Sequence, residues 1–204
     1  MISVKERQKR LLYLGYYDGK IDGIEGKKTK EAYLKLQEDY FVNNKYRHDI
    51  DGIYGTNTEI LLLNAYNVKL ICHNFKLEEF RCHCNREYCT GYPHIIESVL
   101  LADLQIYRNK LNTPMNITSG LRCKKWNEKV CGASKGSRHR LGKAIDFYTK
   151  YSKSLEVRKG YINKWIKEYK ESRYAYSNGY ANNKGKVSYP KAPTMGSATH
   201  IDIE

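Results

Sequence analysis

The sequence lacks any long apolar run, which argues against a membrane-spanning helix. A membrane-spanning helix needs about 18 to 20 consecutive apolar residues, and the longest apolar stretch, around Ile60 to Leu63, is far shorter. The charged N-terminal residues are not followed by an apolar stretch either. We therefore expect no secretory signal peptide, and synthesis in the cytoplasm.

Acidic residues are scarce relative to basic ones. The 204 residues include 36 Lys and Arg against 22 Asp and Glu, which gives a formal net charge of +14. Such an excess predicts a polyanionic partner, either a nucleic acid or an acidic cell wall with its carboxylates and phosphate polymers. The basic residues are spread along the chain and no nucleic-acid-binding motif accompanies them. Charge by itself leaves both partners open.

The cysteines are even in number: Cys72, Cys82, Cys84, Cys89, Cys123 and Cys131. A chain without a signal peptide is made in a reducing compartment, so free thiols or a thiolate metal site are expected in place of disulfides. Cys82, Cys84 and Cys89, with a nearby histidine, could hold a second zinc ion of structural kind. Their spacing is not that of a standard zinc finger. Cys123 and Cys131 flank the turn from Arg122 to Gly132, and for these two we consider simple packing sufficient.

The first 68 residues contain an internal repeat. Residues 22–29 read D-G-I-E-G-K-K-T, and residues 51–58 read D-G-I-Y-G-T-N-T, at an offset of 29 residues. Each Asp-Gly pair predicts a tight turn, and each Thr lies close to a predicted helix start. Helical periodicity precedes the first turn and follows both turns, so three helices are predicted.

This segment resembles the three-helix peptidoglycan-binding domain that is common in cell-wall hydrolases. The residues L-G-Y-Y-D-G-K-I-D-G-I-E-G-K-K-T carry the likeness, and D-G-I-Y-G-T-N-T falls where that domain repeats its turn. The resemblance implies a separate domain over residues 1–68 that binds the wall and takes no part in catalysis. It implies a set of wall-binding residues in the two turns: Asp22, Gly23, Asp51 and Gly52.

Residues 69–204 predict a mixed unit of helices and strands. An irregular Cys-rich segment is followed by an amphipathic helix over 94–111, a short strand N-I-T-S-G and a second strand over 144–149. A further helix is predicted over 154–170, an ordered loop over 174–197, and a final strand T-H-I-D-I-E. The predicted fold class is α+β, with a small three-helix domain followed by a short antiparallel sheet flanked by helices.

Three polar residues lie in or beside the predicted strands of this unit. Asp146 stands among apolar neighbours, and a buried carboxylate needs a partner. His139 lies seven residues before Asp146, and His200 lies in the last strand. Two imidazoles and a carboxylate could bind zinc and leave its fourth position open for water. The spacing alone leaves a structural role for each histidine as the alternative.

Residues 117–147 and the chain end contain an ordered set of motifs: S-G-x-R, an Asn, G-A, S-x-H-x-x-G-x-A-x-D and H-x-D. The matching positions are Ser119, Gly120, Arg122, Asn127, Gly132, Ala133, Ser137, His139, Gly142, Ala144, Asp146, His200 and Asp202. This pattern resembles the zinc D-alanyl-D-alanine carboxypeptidase-like family, peptidase family M15, in the branch of small murein peptidases. The likeness extends over about residues 72–204.

The resemblance implies a site as well as a family. It implies one catalytic zinc ion with the ligands His139, Asp146 and His200. It also implies that Arg122 faces the scissile carbonyl, where a fixed guanidinium is a strong donor to the developing oxyanion. The substrate-binding residues that it implies are Ser119 and Ser137.

The general base is the weakest part of the match. Several relatives carry an acid or a histidine two residues before the last zinc ligand, but this chain has Ala198, which cannot accept a proton. Asp202 points to the same strand face as His200. It could be the base or a partner that orients a histidine. A base from the loop 174–197 is the third alternative.

These features predict a zinc-dependent peptidoglycan peptidase with a wall-binding domain, similar to a phage endolysin that is released to the wall through a membrane lesion. The expected partners are peptidoglycan and anionic wall polymers, with no nucleic acid, and we expect a monomer. The bond cleaved stays open among D-Ala-D-Ala, L-Ala-D-Glu and cross-bridge bonds. A catalytically degenerate wall-binding protein and a basic nucleic-acid-binding protein are the alternatives.

Overall fold

The computed structural model of the protein describes residues 1–41, 49–149 and 198–203, together with the backbone of 173–176. The α-helices in these ranges are α1 (Val4–Leu14), α2 (Lys27–Phe41), α3 (Thr56–Ile71), α4 (Ser98–Leu111) and α5 (Lys124–Lys129). Short 3-10 helices cover Leu77–Phe80 and Arg138–Leu141. The strands are β1 (Met115–Ser119), β2 (Ala144–Thr149), β3 (Arg173–Tyr176) and β4 (Thr199–Ile203).

The strands form one antiparallel sheet in the order β1-β2-β4-β3. Asp146 of β2 stands directly opposite His200 of β4. On its other side Asp146 pairs with Ser119 of β1, after an irregularity between Ile117 and Ser119. The predicted α+β class, with a short antiparallel sheet, is confirmed. The interior position of β2 gives Asp146 neighbours on both sides.

One predicted loop is partly wrong. Residues 174–197 were expected to form a loop, but residues 173–176 form β3, which pairs with β4 from Arg173 opposite Ile203 to Tyr176 opposite His200. A four-residue strand is too short to show a periodic pattern, and its stability comes from pairing with β4. The rest of that loop and the helix predicted over 154–170 lie outside the described residues.

Helix α4 begins at Ser98, four residues after the predicted start at His94. Hydrogen bonds to distant residues hold the intervening segment in a non-helical conformation. The Ile96 amide donates to Asn64 Oδ1 at 2.8 Å, and Asn64 Nδ2 donates to the His94 carbonyl at 2.9 Å. The Glu97 amide donates to the Gly142 carbonyl at 3.0 Å. The spacing of apolar residues contains no information about these bonds, so it predicted the helix start too early.

Helix α3 connects the N-terminal helices with the rest of the fold. It packs against α1, α2 and α4, and one continuous apolar cluster extends from Leu11 to Ile203. The helix runs through to Ile71, past the predicted domain boundary at residue 68. The division into two domains stays a prediction. None of the helices in the described residues has the length and apolarity to cross a membrane.

Two buried glutamines, Gln8 and Gln37, hold the two repeated turns, and they are themselves 29 positions apart. Gln37 Nε2 donates to Asp51 Oδ1 at 3.1 Å, and Gln37 Oε1 accepts from the Gly52 amide at 2.8 Å. Gln37 Nε2 also reaches the Ile53 carbonyl and Thr58 Oγ1. Gln8 makes the corresponding bonds in the first turn, to Asp22, Gly23, Ile24 and Thr29.

The predicted wall-binding residues thus have a structural task. Asp22 and Asp51 accept from the glutamines and from amides two residues ahead, which is the geometry of an Asx turn. Gly23 and Gly52 adopt left-handed backbone conformations, with φ of 82° and 69°, where glycine is favoured. These contacts account for the D-G repeat. Wall binding by these four residues stays a prediction.

We expect Gln37→Leu to destabilise the protein. The substitution leaves the Asp51 and Gly52 amides without their acceptor, and an unsatisfied buried donor costs about 1 to 3 kcal/mol. The free energy of unfolding in urea should fall by about 2 kcal/mol or more. The matched control is Glu38→Leu, which changes the exposed neighbour on α2. Equal losses in the two variants would contradict the structural role of Gln37.

Candidate metal centre

Three buried side chains from three elements meet beside the sheet. His139 comes from the 3-10 helix Arg138–Leu141, Asp146 from β2 and His200 from β4. Only 2%, 6% and 5% of these residues are exposed, respectively. One potential ligand atom from each lies within 4.8 Å of the others. The three residues that sequence reasoning singled out as metal ligands are therefore brought together.

Asp146 is the centre of this group. Its Oδ2 accepts from Arg122 Nη2 at 2.9 Å and lies 3.3 Å from His139 Nε2. Its Oδ1 lies 2.6 Å from His200 Nδ1. Burial by itself would raise the pKa of Asp146, but the charges and hydrogen bonds of His139 and His200 hold it well below its usual value. The carboxylate is therefore ionised and provides negative charge for a cation.

The imidazole of His139 is oriented by a backbone carbonyl. Its Nδ1 lies 2.7 Å from the Gly120 oxygen, and because a carbonyl can only accept, Nδ1 carries the proton. Nε2, on the side of Asp146, then presents a lone pair. Burial lowers the pKa of His139, which favours the neutral imidazole that binds metals.

His200 lies between two carboxylates. Its Nδ1 faces Asp146, and its Nε2 lies 3.0 Å from Asp202 Oδ2. Burial would lower the pKa of His200, but Asp146 and Asp202 raise it to about 9. Asp202 therefore contacts the histidine nitrogen that points away from Asp146. The choice between the two roles expected for Asp202 stays a prediction.

Arg122 is held at the edge of the group by Ser119 and Asp146. Arg122 Nε donates to Ser119 Oγ at 2.9 Å, and its backbone amide donates to the His139 carbonyl at 3.1 Å. Its side chain is only 11% exposed. Ser137 begins the 3-10 helix that carries His139, and its carbonyl accepts from the Arg140 amide. The structure thus places Arg122 in contact with Asp146 and with the backbone of His139, and Ser119 in contact with Arg122.

Two glycines of the motif are required by close backbone approaches, which sequence reasoning did not identify. A Cβ on Gly120 would lie 2.5 Å from the Phe80 carbonyl oxygen. Gly142 ends the 3-10 helix with a φ of 69°, and a Cβ there would collide with the Ile95 carbonyl. The S-G and H-x-x-G spacings are the signal that could have found these contacts. Both glycines fix the segment that carries or orients His139.

The position expected for a general base offers no proton acceptor. Ala198 is buried and directly precedes β4. The alternative of a base from the loop 174–197 concerns side chains outside the described residues.

The family model described as Peptidase M15 matches residues 73–178, which are more than half of the sequence. The chain belongs to the peptidase M15 family. The match includes Arg122, His139 and Asp146. The buried His-Asp-His group of this family member could hold a metal ion.

This M15 peptidase is also similar over part of its length to a spore cortex-lytic enzyme of Oceanobacillus iheyensis. The two chains are 40% identical over 65 residues, which are 32% of this chain and 21% of that enzyme. The match spans about a fifth of the relative's length. It therefore establishes similarity of a segment and not of the whole protein.

We expect Gly142→Ala to weaken both folding and metal binding in this M15 peptidase. The new methyl group meets the Ile95 carbonyl in a left-handed conformation, and such backbone strain costs about 1 to 3 kcal/mol. Urea denaturation and zinc titration of the full chain measure the two effects. Gly26→Ala is the control, because a Cβ there meets nothing within 4 Å. Unchanged zinc affinity in Gly142→Ala would show that this contact does not position His139.

Proposed function

We propose that this M15 peptidase is a zinc-dependent peptidoglycan hydrolase that cleaves a peptide bond in the murein stem or cross-bridge. Its zinc ligands in this proposal are His139, Asp146 and His200. The observation that carries the proposal is the buried group of two imidazoles and one carboxylate, with ligand atoms within 4.8 Å of one another. The zinc dependence of M15 peptidases supports the choice of metal.

The donor set fits a zinc ion. Three N and O ligands are typical of catalytic zinc sites, which keep one position open. Two ligands that are each about 2.0 to 2.1 Å from a shared tetrahedral zinc stand about 3.3 Å apart, and His139 Nε2 and Asp146 Oδ2 are 3.3 Å apart. His200 Nδ1 and Asp146 Oδ1 are 2.6 Å apart, so this direct contact would have to open by a few tenths of an ångström to admit the ion. Each ligand also has an outer partner, namely the Gly120 carbonyl, Arg122 and Asp202. Such partners orient metal ligands, and an acceptor on the outer nitrogen of a histidine also raises the basicity of that imidazole.

The side chains around the ligands have complementary tasks. When bound, zinc supplies Lewis acidity that makes a water nucleophilic near neutral pH and polarises a carbonyl. The guanidinium of Arg122 has five N–H donors, and its bonds to Ser119 and Asp146 use two of them. The remaining donors can bind the oxygen on which negative charge develops during attack. Their fixed position means that little reorganisation is needed at that moment.

We assign Asp202 a positioning role in this proposal. Its Oδ2 accepts from His200 Nε2, which keeps the Nδ1 lone pair of a neutral His200 directed at the metal side. A carboxylate engaged in this way is a poor candidate for the proton acceptor. The acceptor is then a group of the loop 174–197 or of the substrate.

Three observations support peptidoglycan as the substrate. The related segment belongs to an enzyme whose name denotes lysis of the spore cortex. The two repeated turns of residues 1–68 resemble a peptidoglycan-binding domain. The net charge of +14 favours an anionic polymer and would add an attraction that weakens with salt.

A groove between the two turns supports the wall-binding part of the proposal. It has a volume of about 510 Å³. Its wall is formed by the start of α2 and the second turn, with the residues Glu25, Gly26, Lys27, Lys30, Glu31, Leu34, Asp51 and Gly52. Mixed charges beside an apolar side chain suit a glycan with amide and carboxylate groups. We propose residues 1–68 as the wall-binding domain. From the groove, the repeated turns and the net charge we also propose an endolysin-like role at the wall of a bacterial host.

Removal of the metal should abolish cleavage but not wall binding. We expect His139→Ala to lower fragment release from purified peptidoglycan at least about a thousand-fold, since several kcal/mol of transition-state stabilisation are lost. Chelation should have the same effect, and added zinc should restore only the original chain. The control is His73→Ala, which removes an exposed histidine outside the ligand group.

Mass spectrometry of the fragments identifies the bond cleaved, and co-sedimentation with wall sacs measures binding. Undiminished cleavage by His139→Ala would refute the zinc mechanism. Binding of all variants without any cleavage would indicate the degenerate wall-binding alternative instead.

Asp202→Asn separates the positioning role from a role as base. The amide oxygen can still accept from His200 Nε2, but the carboxylate charge is lost. Loss of an outer partner typically lowers metal affinity about 10- to 100-fold, so we expect weaker zinc binding and a nearly normal kcat once zinc is saturating. Zinc titration and kcat at saturating zinc are the measurements. A kcat that stays low at saturating zinc would identify Asp202 as the base.

A further inference from the structure

A second metal-ligating group lies outside the site described above. Cys82, Cys84 and Cys89 come from the loop after the 3-10 helix Leu77–Phe80, and Cys123 comes from the start of α5. Their four sulfur atoms lie within 4.8 Å of one another. We call these four residues the cysteine cluster. Sequence reasoning named three of them and missed Cys123, which lies 41 positions from Cys82.

The sulfur positions fit a tetrahedral metal site. Four thiolates that are each about 2.3 Å from a zinc ion stand about 3.8 Å apart. Cys84 Sγ and Cys89 Sγ are 3.5 Å apart, and all four cysteines are free. A tetrathiolate set is typical of a closed, structural zinc site.

The surroundings of the cysteine cluster stabilise thiolates. The Cys123 amide donates to Cys82 Sγ at 3.3 Å, and the Gly91 amide donates to Cys89 Sγ at 3.4 Å. Lys129 contacts the Tyr88 hydroxyl at the rim, so positive charge is near. A tetrathiolate zinc centre carries net negative charge, which these donors and cations offset.

Simple packing does not explain the cluster as well. Tyr88 and Trp126 cover it, but it is separate from the main apolar core. The loop between Cys84 and Cys89 also contains two consecutive left-handed residues, Asn85 and Arg86, with φ of 49° and 61°. Neither residue is a glycine, so this tight loop is strained. A metal ion that joins Cys84 to Cys89 would stabilise that conformation.

We propose that the cysteine cluster binds a structural zinc ion that joins the loop 82–91 to the segment that carries Arg122. Cys123 directly follows Arg122, and the Leu121 amide donates to the Phe80 carbonyl at 2.8 Å. Gly120, whose carbonyl orients His139, belongs to the same segment. The zinc would therefore fix the backbone behind the candidate metal centre. This proposal does not depend on the peptidase function.

The test is the metal content of the full chain, purified under reducing conditions after growth with zinc. We expect two zinc ions per chain. Cys89→Ser should lose one ion, and His139→Ala should lose the other. Cys131→Ser is the matched control, because Cys131 is exposed and stands outside the cysteine cluster. Cys89 is the half-buried member of the cluster, so its replacement perturbs the packing least.

Cobalt substitution distinguishes the two sites by their ligands, in a way that does not depend on activity. Cobalt held by thiolates gives an intense charge-transfer band in the near ultraviolet, whereas N and O ligands do not. The band should be present in the unaltered chain, in Cys131→Ser and in His139→Ala, and absent in Cys89→Ser.

In the unaltered chain, a thiol reagent should modify Cys131 quickly and the cysteine cluster only as zinc is released.

The outcomes separate this proposal from the proposed function. One zinc ion that is lost in Cys89→Ser but kept in His139→Ala would support the cysteine site and count against the catalytic zinc. Zinc that depends on His139 alone, with no near-ultraviolet cobalt band, would overturn the cysteine site. Iron or a pair of disulfides at the four cysteines would overturn it as well.

Discussion

The buried carboxylate of Asp146 is the constraint on which the C-terminal half of the structure depends. An ionised carboxylate without partners in a protein interior costs several kcal/mol. Strand β2 can therefore be buried only if cations or hydrogen-bond donors contact Asp146. Arg122 and His200 supply them from two separate segments, and His139 lies beside the same carboxylate. The register of β4, the 3-10 helix and the turn after β1 must therefore all be correct at once. The same group of side chains could hold a metal ion.

Close backbone contacts support the segment that carries His139. Gly120 and Gly142 allow two carbonyl groups to approach where any side chain would interfere. Gly120 offers its own carbonyl to His139. In our proposal the cysteine cluster stabilises this same turn from behind, since Cys123 follows Arg122 directly. The peptidase centre would then depend on one metal for chemistry and on another for the shape of its backbone.

The N-terminal helices are linked to the rest of the fold by hydrogen bonds as well as by the chain itself. Each repeated turn is held by one buried glutamine, Gln8 or Gln37, in equivalent geometry. Helix α3, which follows the second turn, places Asn64 against the segment that precedes α4. The Glu97 amide in turn binds Gly142, which ends the 3-10 helix of His139. A continuous series of hydrogen bonds thus links the predicted wall-binding part to the candidate metal centre.

Local sequence patterns were sufficient to predict most of the described helices and strands of this protein. Periodicity predicted α1 to α3 and the strands β1, β2 and β4, because these signals depend on near neighbours in the chain. The motif around His139 and Asp146 predicted the ligand group. Only the tertiary structure shows that Cys123 lies beside the other three cysteines of the cluster and that Asp202 contacts His200. It also shows that β3 pairs with β4 and that α4 begins four residues later than predicted. Each of these depends on contacts between residues distant in sequence, whose distances no local pattern contains.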